Sequence, residues 1–374
     1  DSDGYWMGSD RGLLTTSAPG QEGFLTRIPG SGLPDDQITA LYKDPTGALW
    51  LGTAENGVYK REKGSTFFRS VHRTEDNNEN AIRDIDGSGD YVWIATVYGV
   101  FRIQISTGEK MHFTNRNGLS HNTINALCVD SARNAWVATT SRKIYRINTE
   151  GELFDEKEAG FLVRANVFTD LTIDGRGEVW AASDGNGVFR FSGDTVIVYG
   201  TKQGLLSDYC KSILADKQGI IWVGHRSGFS RIDPGRQVIE QFSVNHGITG
   251  DCNPAAMALD PNGVVLIGTT QCLVSYDYRK DTGPGQPPIP NVVSVRAGDK
   301  ELELRDQIVL PYGIYRIRIE FIGLSYNNPE GVTYRYKLEN YDSEWSETTG
   351  DRLVIFPRVS DGKYLFRLQA CSSS

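Results

Sequence analysis

The chain has 374 residues, with 47 acidic against 39 basic side chains for a net charge of −8, and 39% of its residues are hydrophobic. That balance argues against a general nucleic-acid role, which needs Lys/Arg-rich faces to neutralise phosphate. No apolar run approaches the roughly 20 residues that span a bilayer, and 41 glycines fit short strands joined by many turns.

Taken in chain order, the dominant feature is a tryptophan interval. Trp6, Trp50, Trp93, Trp136, Trp180 and Trp222 are separated by 44, 43, 43, 44 and 42 residues, and a further step of 44 reaches Leu266 in Val265-Leu-Ile-Gly-Thr269. Self-similarity at this period marks stacked copies of one small unit. The first copy begins at its second strand, Tyr5-Trp6-Met7-Gly8. The second reads Leu41-Tyr-Lys-Asp44-Pro-Thr-Gly47-Ala-Leu-Trp50-Leu-Gly52-Thr53, then Asn56-Gly57-Val58-Tyr59. The third has an irregular turn, Asp86-Gly-Ser-Gly-Asp90, and the later copies carry their turn Asp at 130, 174, 216 and 260. Each unit therefore reads as an apolar strand, an Asp-x-x-Gly turn, a Trp strand, a second turn and a third strand. Asp and Gly supply the self-bonding side chain and the positive φ of tight hairpins. No long helical periodicity occurs, so the expectation is all-β: a seven-bladed β-propeller over residues 1–281.

Residues 282–290 read as a Pro/Gly linker. Beyond it, alternating strands at Val292–Arg296, Tyr315–Phe321, Thr333–Leu338 and Tyr364–Leu368 predict a small Ig-like β-sandwich over 291–374, with its aromatics as core. Both ends read as cut, so the chain is expected to be a fragment of a longer protein. The five cysteines form no C-x-x-C pair and the five histidines no metal-ligand spacing, which predicts no metal and no cofactor. Free, mostly buried thiols are expected, with a Cys252–Cys272 disulfide as the alternative.

Two stretches carry a family resemblance. Tyr334-Arg-Tyr336-Lys-Leu338-Glu-Asn-Tyr-Asp342-Ser-Glu-Trp345, with Leu324-Ser-Tyr326-Asn-Asn-Pro329 before it and Gly362-Lys-Tyr364-Leu-Phe366 after it, resembles the Y_Y_Y domain. The Asp-x-x-Gly-x-x-Trp copies, with upstream Gly32-Leu33-Pro34, Gly118-Leu119-Ser120 and Gly204-Leu205, resemble the two-component-regulator propeller repeat. This order is that of sensor regions in Bacteroides-type hybrid two-component systems. The resemblance implies a periplasmic, homodimeric sensor region of an inner-membrane protein. It implies an oligosaccharide ligand from glycan breakdown, and a membrane helix and histidine kinase in the same full-length chain. The output would be transcription of glycan-use genes.

Recognition is expected where the repeat varies over a constant frame. The second-to-third-strand loops offer Arg11, Asn56, Tyr98, Arg142, Asp184, Asn186, His225 and Arg226, and the loops leading into the next copy offer His121, Arg164 and Tyr209. Arginines could bond hydroxyls or carboxylates, Tyr98 could stack on a sugar ring, and Asp184 with Asn186 could hold hydroxyl pairs. Asp36, Asn80, Asn122, Asn166 and Asp208 recur instead at one place in the repeat, which assigns them a structural bond to backbone. The alternatives are a propeller enzyme of glycan lyase or hydrolase type, for which no convergent acid/base group is visible, and a protein-docking propeller.

Overall fold

A computed structural model describes residues 5–16, 26–27, 31–158, 167–193, 195–280, 288–305, 307–324 and 332–372. The chain divides into two compact units, residues 1–278 and 279–374. In the first, seven antiparallel sheets follow in chain order: sheet 1 (5–27), sheet 2 (38–72), sheet 3 (82–113), sheet 4 (124–158), sheet 5 (168–199), sheet 6 (210–243) and sheet 7 (252–276). Sheets 2 to 6 have four strands each in sequential order, while sheets 1 and 7 have three. Each sheet from 2 to 6 meets the next through the first strands of both, which are therefore the inner ones.

The Asp-x-x-Gly-x-x-Trp frame works as a hydrogen-bonded clamp. In sheet 2, Asp44 Oδ1 accepts from the Thr46 and Ala48 N–H groups at 2.9 and 3.0 Å, while Oδ2 accepts from Trp50 Nε1 at 2.8 Å. The same indole bond recurs at 3.0 Å in Asp130–Trp136, Asp174–Trp180 and Asp216–Trp222. One carboxylate thus closes the turn and satisfies a core indole that would otherwise bury a bare donor. Sheet 3 shows the converse. Gly87 stands six residues before Trp93, and the buried Trp93 Nε1 has no partner.

Sheet 7 has Leu266 in place of Trp, so Asp260 has no indole to accept from. Its Oδ2 instead accepts from Tyr5 Oη of sheet 1 at 3.1 Å, bringing the first and last sheets into contact as a ring requires. Tyr5→Phe is expected to lower stability by about 1 kcal/mol, the usual net value of such a bond. An unchanged thermal midpoint would mean that Asp260 is equally well served by Asn262 alone.

A second recurrent contact was not anticipated from the spacing. Directly across from Trp50, Trp180 and Trp222, the third strand places a cation over the indole face. Lys60 lies 5.1 Å from the Trp50 ring, Arg190 5.2 Å from Trp180 and Arg231 5.7 Å from Trp222. The signal was present as Lys or Arg nine or ten residues after the Trp. Each of these largely buried cations is also paired with a carboxylate: Lys60 with Glu62 at 3.1 Å, Arg190 with Glu178 at 2.6 Å and Arg231 with Glu240 at 2.5 Å.

The inner strands are joined by side chains rather than by a ladder. Asp84 Oδ2 accepts from Leu127 N–H at 2.9 Å, Asp86 Oδ2 from Val129 N–H at 2.8 Å, and Asp170 Oδ2 from Ile213 N–H at 2.8 Å. Burial pushes the Asp84 carboxyl up to about 7 and that of Asp86 up to about 6. Asp170 is also raised, by burial and then by the charge of Asp84. Asp86 is therefore not the turn residue of sheet 3, as the repeat alignment has it. It lies inside the strand Ile82–Ser88, and Gly89 with Asp90 makes the turn.

In the second unit, a four-stranded sheet contains Ile289–Ala297, Lys300–Leu302, Tyr315–Leu324 and Leu353–Val359, and a two-stranded one pairs Val332–Glu339 with Leu365–Ser372. The sheet thus starts at Ile289, two residues inside the expected linker. Tyr334, Phe321, Leu338 and Phe356 form its core, with Tyr336, Tyr364 and Phe366 packed against them. Trp345 is half-buried outside that cluster, and Tyr326 lies outside the described residues. All five cysteines are free: Cys128, Cys210 and Cys252 buried, Cys272 and Cys371 exposed. The Cys252 thiol instead donates to Gly228 O at 3.1 Å. No helix among the described residues is long and apolar enough to cross a membrane.

Candidate functional site

The second-to-third-strand loops and the loops leading into the next sheet meet at one end of the sheets. Gly57 N–H donates to Asn80 O at 3.0 Å, Gly99 N–H to Asn122 O at 2.8 Å and Gly187 N–H to Asp208 O at 2.8 Å. Each bond ties a hairpin to the approach of the following sheet. The recurrent Asp/Asn residues build this scaffold. Asp36 Oδ2 accepts from the Glu55 and Asn56 N–H groups and from Asn56 Nδ2 at 2.9 to 3.1 Å. Burial pushes the Asp36 carboxyl up, but these bonds outweigh it and hold it below the usual range. Asn80 Oδ1 accepts from Thr74 N–H at 2.9 Å, Asn122 Oδ1 from Asn115 N–H at 2.7 Å, and Asp208 Oδ1 from Thr201 N–H at 2.7 Å. Their assignment to backbone bonding agrees with this geometry; Asn166 lies outside the described residues.

On that scaffold the variable residues separate into two groups. Arg11, Arg142, Arg226, His121 and Tyr209 are exposed, and Tyr98, Asp184 and Asn186 are partly so. Arg142 sits at φ 69°, a left-handed turn position that only the tightness of this hairpin explains. His121 Nδ1 accepts from Thr123 N–H at 3.0 Å and faces Thr140 Oγ1 at 2.8 Å, which orients the ring and leaves Nε2 as the protonated nitrogen. Asp184 pairs with Lys211 Nζ at 3.7 Å and bridges through backbone to Tyr209, so those two lie side by side across neighbouring sheets. Tyr98 presents a ring whose centroid is 6.2 Å from that of His112, and its carbonyl accepts from His112 Nε2 at 2.8 Å.

Two candidates belong to the frame instead. Asn56 spends its amide on Asp36. His225 is fully buried: its Nδ1 donates to Tyr209 O at 3.3 Å, and its Nε2 accepts from Ser230 Oγ at 2.9 Å. Burial pushes its pKa down to about 4, so the ring is neutral and serves to lock the loop that carries Tyr209. This corrects the expectation that His225 contacts a ligand; position on the loop gave no hint that the side chain turns inward. Arg164 lies outside the described residues.

Chemically, this end offers guanidinium, imidazole, phenol and carboxylate groups suited to hydroxyl-rich or anionic partners. Among the described residues no group of three or more His, Cys, Asp or Glu could hold a metal ion.

Comparison with known proteins agrees with this architecture. The two-component regulator propeller family matches residues 32–55 and 118–141, and the Y_Y_Y domain family matches residues 325–374. The chain carries two-component regulator propeller repeats followed by a Y_Y_Y domain. No curated protein sequence matches it. Among solved structures, the extracellular domain of a putative hybrid two-component system from B. thetaiotaomicron superposes with a TM-score of 0.77 at 21% identity, covering 99% of this chain and 52% of that one. A second such domain from the same organism gives 0.61 at 20%, covering 99% and 53%. Virginiamycin B lyase from Staphylococcus aureus gives 0.54 at 12%, covering 70% and 89%. The chain thus spans about half the length of the two-component structures it resembles.

Proposed function

We propose that this chain is the extracytoplasmic ligand-sensing region of a hybrid two-component system. On this reading it is not an enzyme, and it detects a soluble oligosaccharide at the loop-bearing end of the sheets. One observation carries the reading: side chains that vary from copy to copy stand exposed on a scaffold that the recurrent Asp36, Asn80, Asn122 and Asp208 hold through bonds to backbone. The family matches and the extracellular two-component neighbours support the same class. Binding there needs no metal, and the signal passes to a kinase in another part of the polypeptide, in a periplasmic setting and through a homodimer.

Calorimetry against a panel of neutral and uronic-acid di- to octasaccharides tests the reading. Arg142→Ala, Tyr98→Ala and Arg226→Ala are each expected to weaken a binding sugar by about 1–3 kcal/mol, the value of a charged or buried hydrogen bond. Unchanged binding in all three variants would move the site to the opposite end or to the second unit. Chemical turnover of any panel member would replace the sensor with an enzyme.

A further inference from the structure

Immediately after its first pair with the second strand, the inner strand of each of sheets 2 to 6 slips by one residue. The residues left outside the ladder are Thr39, Arg83, Asn125, Thr169 and Lys211. A bulge re-aims one side chain, and bulges are over-represented beside active sites. Here the residue before each bulge is buried, whereas all five bulged residues are accessible and Arg83 is exposed. They stand at the loop-bearing end, where Lys211 Nζ lies 3.7 Å from Asp184 Oδ1 of the sheet 5 hairpin. The inner strands enclose the ring axis, and those of sheets 5 and 7 come within 8 Å of one another, Cα to Cα, with sheet 6 between them. Side chains that the bulges turn off the packed faces therefore gather around one opening.

The polarity of these residues is largely unspent. Arg83 has no hydrogen-bond or ion-pair partner among the described residues. Asp84 and Asp86 of the same strand are committed to the Leu127 and Val129 N–H groups. Lys211 pairs with the partly exposed Asp184, a contact of little net worth at a surface. Thr39 Oγ1 and Asn125 Nδ2 are buried without a partner, which is uncommon for such atoms. In sheet 7 the slip is wider, over residues 253–256, and Pro254 and Ala255 stand exposed there, the latter at φ 48°.

We propose that these bulged residues form the floor of the sensing site and select an anionic oligosaccharide, with Arg83 and Lys211 as the cations that hold its acid groups. The inference rests on the sensor reading above and narrows its ligand. Arg83 offers a planar fork to a carboxylate or sulfate, and Lys211 a point charge. The two belong to sheets 3 and 6, so they face each other across the opening, and a sugar chain lying over it presents acid groups to both. Pro254 and Ala255 supply an apolar wall for the C–H face of a sugar ring.

Calorimetry with three sets of probes tests this: uronic-acid di- to octasaccharides, the same sugars after carboxyl reduction, and O-sulfated derivatives of the reduced sugars. Uronate or sulfated forms are expected to bind about tenfold or more tighter than the reduced ones, the value of a charged hydrogen bond. Arg83→Gln and Lys211→Gln are each expected to remove about tenfold from the anionic forms and to leave the reduced forms unchanged. Equal binding of anionic and reduced sugars by the wild type would overturn the proposal. So would equal weakening of both by the two variants, or anionic binding that responds to Arg142→Ala and to neither variant. In those cases the sensor reading stands with a different ligand or floor. Binding by no probe, neutral or anionic, would overturn both.

Discussion

Asp216→Ala is expected to be among the most destabilising single substitutions in the first unit, at about 3–5 kcal/mol. The side chain is small and no cavity of consequence is made, so the effect must come from hydrogen bonding. Asp216 is buried and accepts from Gln218 N–H and Ile220 N–H at 2.9 Å and from Trp222 Nε1 at 3.0 Å. Removing one acceptor leaves three donors, and each buried donor left unsatisfied costs about 1–3 kcal/mol, less where the turn relaxes toward water. The indole has least room to relax, because Trp222 is packed against Phe229 and Tyr276. Urea unfolding of wild type and variant measures the loss. Asp216→Asn should recover part of it, since one oxygen remains to accept. A loss below about 1 kcal/mol would mean that the recurrent Asp is a turn preference and not a clamp.

The second large effect is a stabilising contribution from buried inner-strand carboxyls that is lost as pH rises from about 4 to 8. Asp84 and Asp86 are raised to about 7 and about 6 by burial beside the ring axis. The sign follows from comparing the two states. A carboxyl with a folded-state pKa above its unfolded value, about 3.9, binds its proton more tightly when folded. Its contribution is complete below about pH 4 and is lost as pH passes through 6 and 7. Burial, which pushes the Asp84 carboxyl up to about 7, makes the protonated form the folded-state form through most of this range. Asp86, Asp170 and Cys128 lie close enough to interact with it. Asp44 and Asp260 act oppositely. Burial raises them, but bonds from Thr46, Trp50 and Ala48 to the first, and from Val264 and Tyr5 to the second, outweigh it and hold both below the usual range. Their support is lost only as pH falls below about 4, so the two effects occupy different windows. The buried imidazoles of His72 and His225, both pushed down to about 4, act in the opposite sense between about pH 4 and 6.5, so the carboxyl contribution is read as the stability difference between wild type and Asp84→Asn, which should shrink between pH 5 and 8 in chemical denaturation. A stability difference between wild type and Asp84→Asn that is the same at pH 5 and pH 8 would contradict the burial of this carboxylate.

What was legible in the sequence was whatever the repeat states several times over. The Trp interval and the Asp-x-x-Gly turn are copied in register, so each copy corroborates the others, and the recurrent Asp/Asn residues could be assigned to scaffolding on the same ground. Features that break the period were not legible. Asp84 and Asp170 share one place in two copies, opposite Ala95 and Ala182, but Ala40, Ala126 and Ser212 stand there in three others, and only the packing of neighbouring inner strands brings Asp84, Asp86 and Asp170 each beside an N–H 43 residues away. His225 looked like a loop residue because its burial depends on Ser230 and on the Tyr209 carbonyl, both supplied by tertiary structure. In the second unit, Leu353–Val359 contains Pro357, which argues against a strand in sequence; it is tolerated because this strand lies at the edge of its sheet. The candidate site was legible as a set of loops, but not as a set of side-chain directions.

Hydrogen exchange of the chain with and without a saturating oligosaccharide from the calorimetric panel tests the central claim most directly. The account predicts slowed exchange at residues 97–98, 140–142, 184–186 and 226–227, with no change in the Asp turns at 44–48, 130–134, 174–178 and 216–220. Protection confined to those turns, or to residues 288–372, would contradict it.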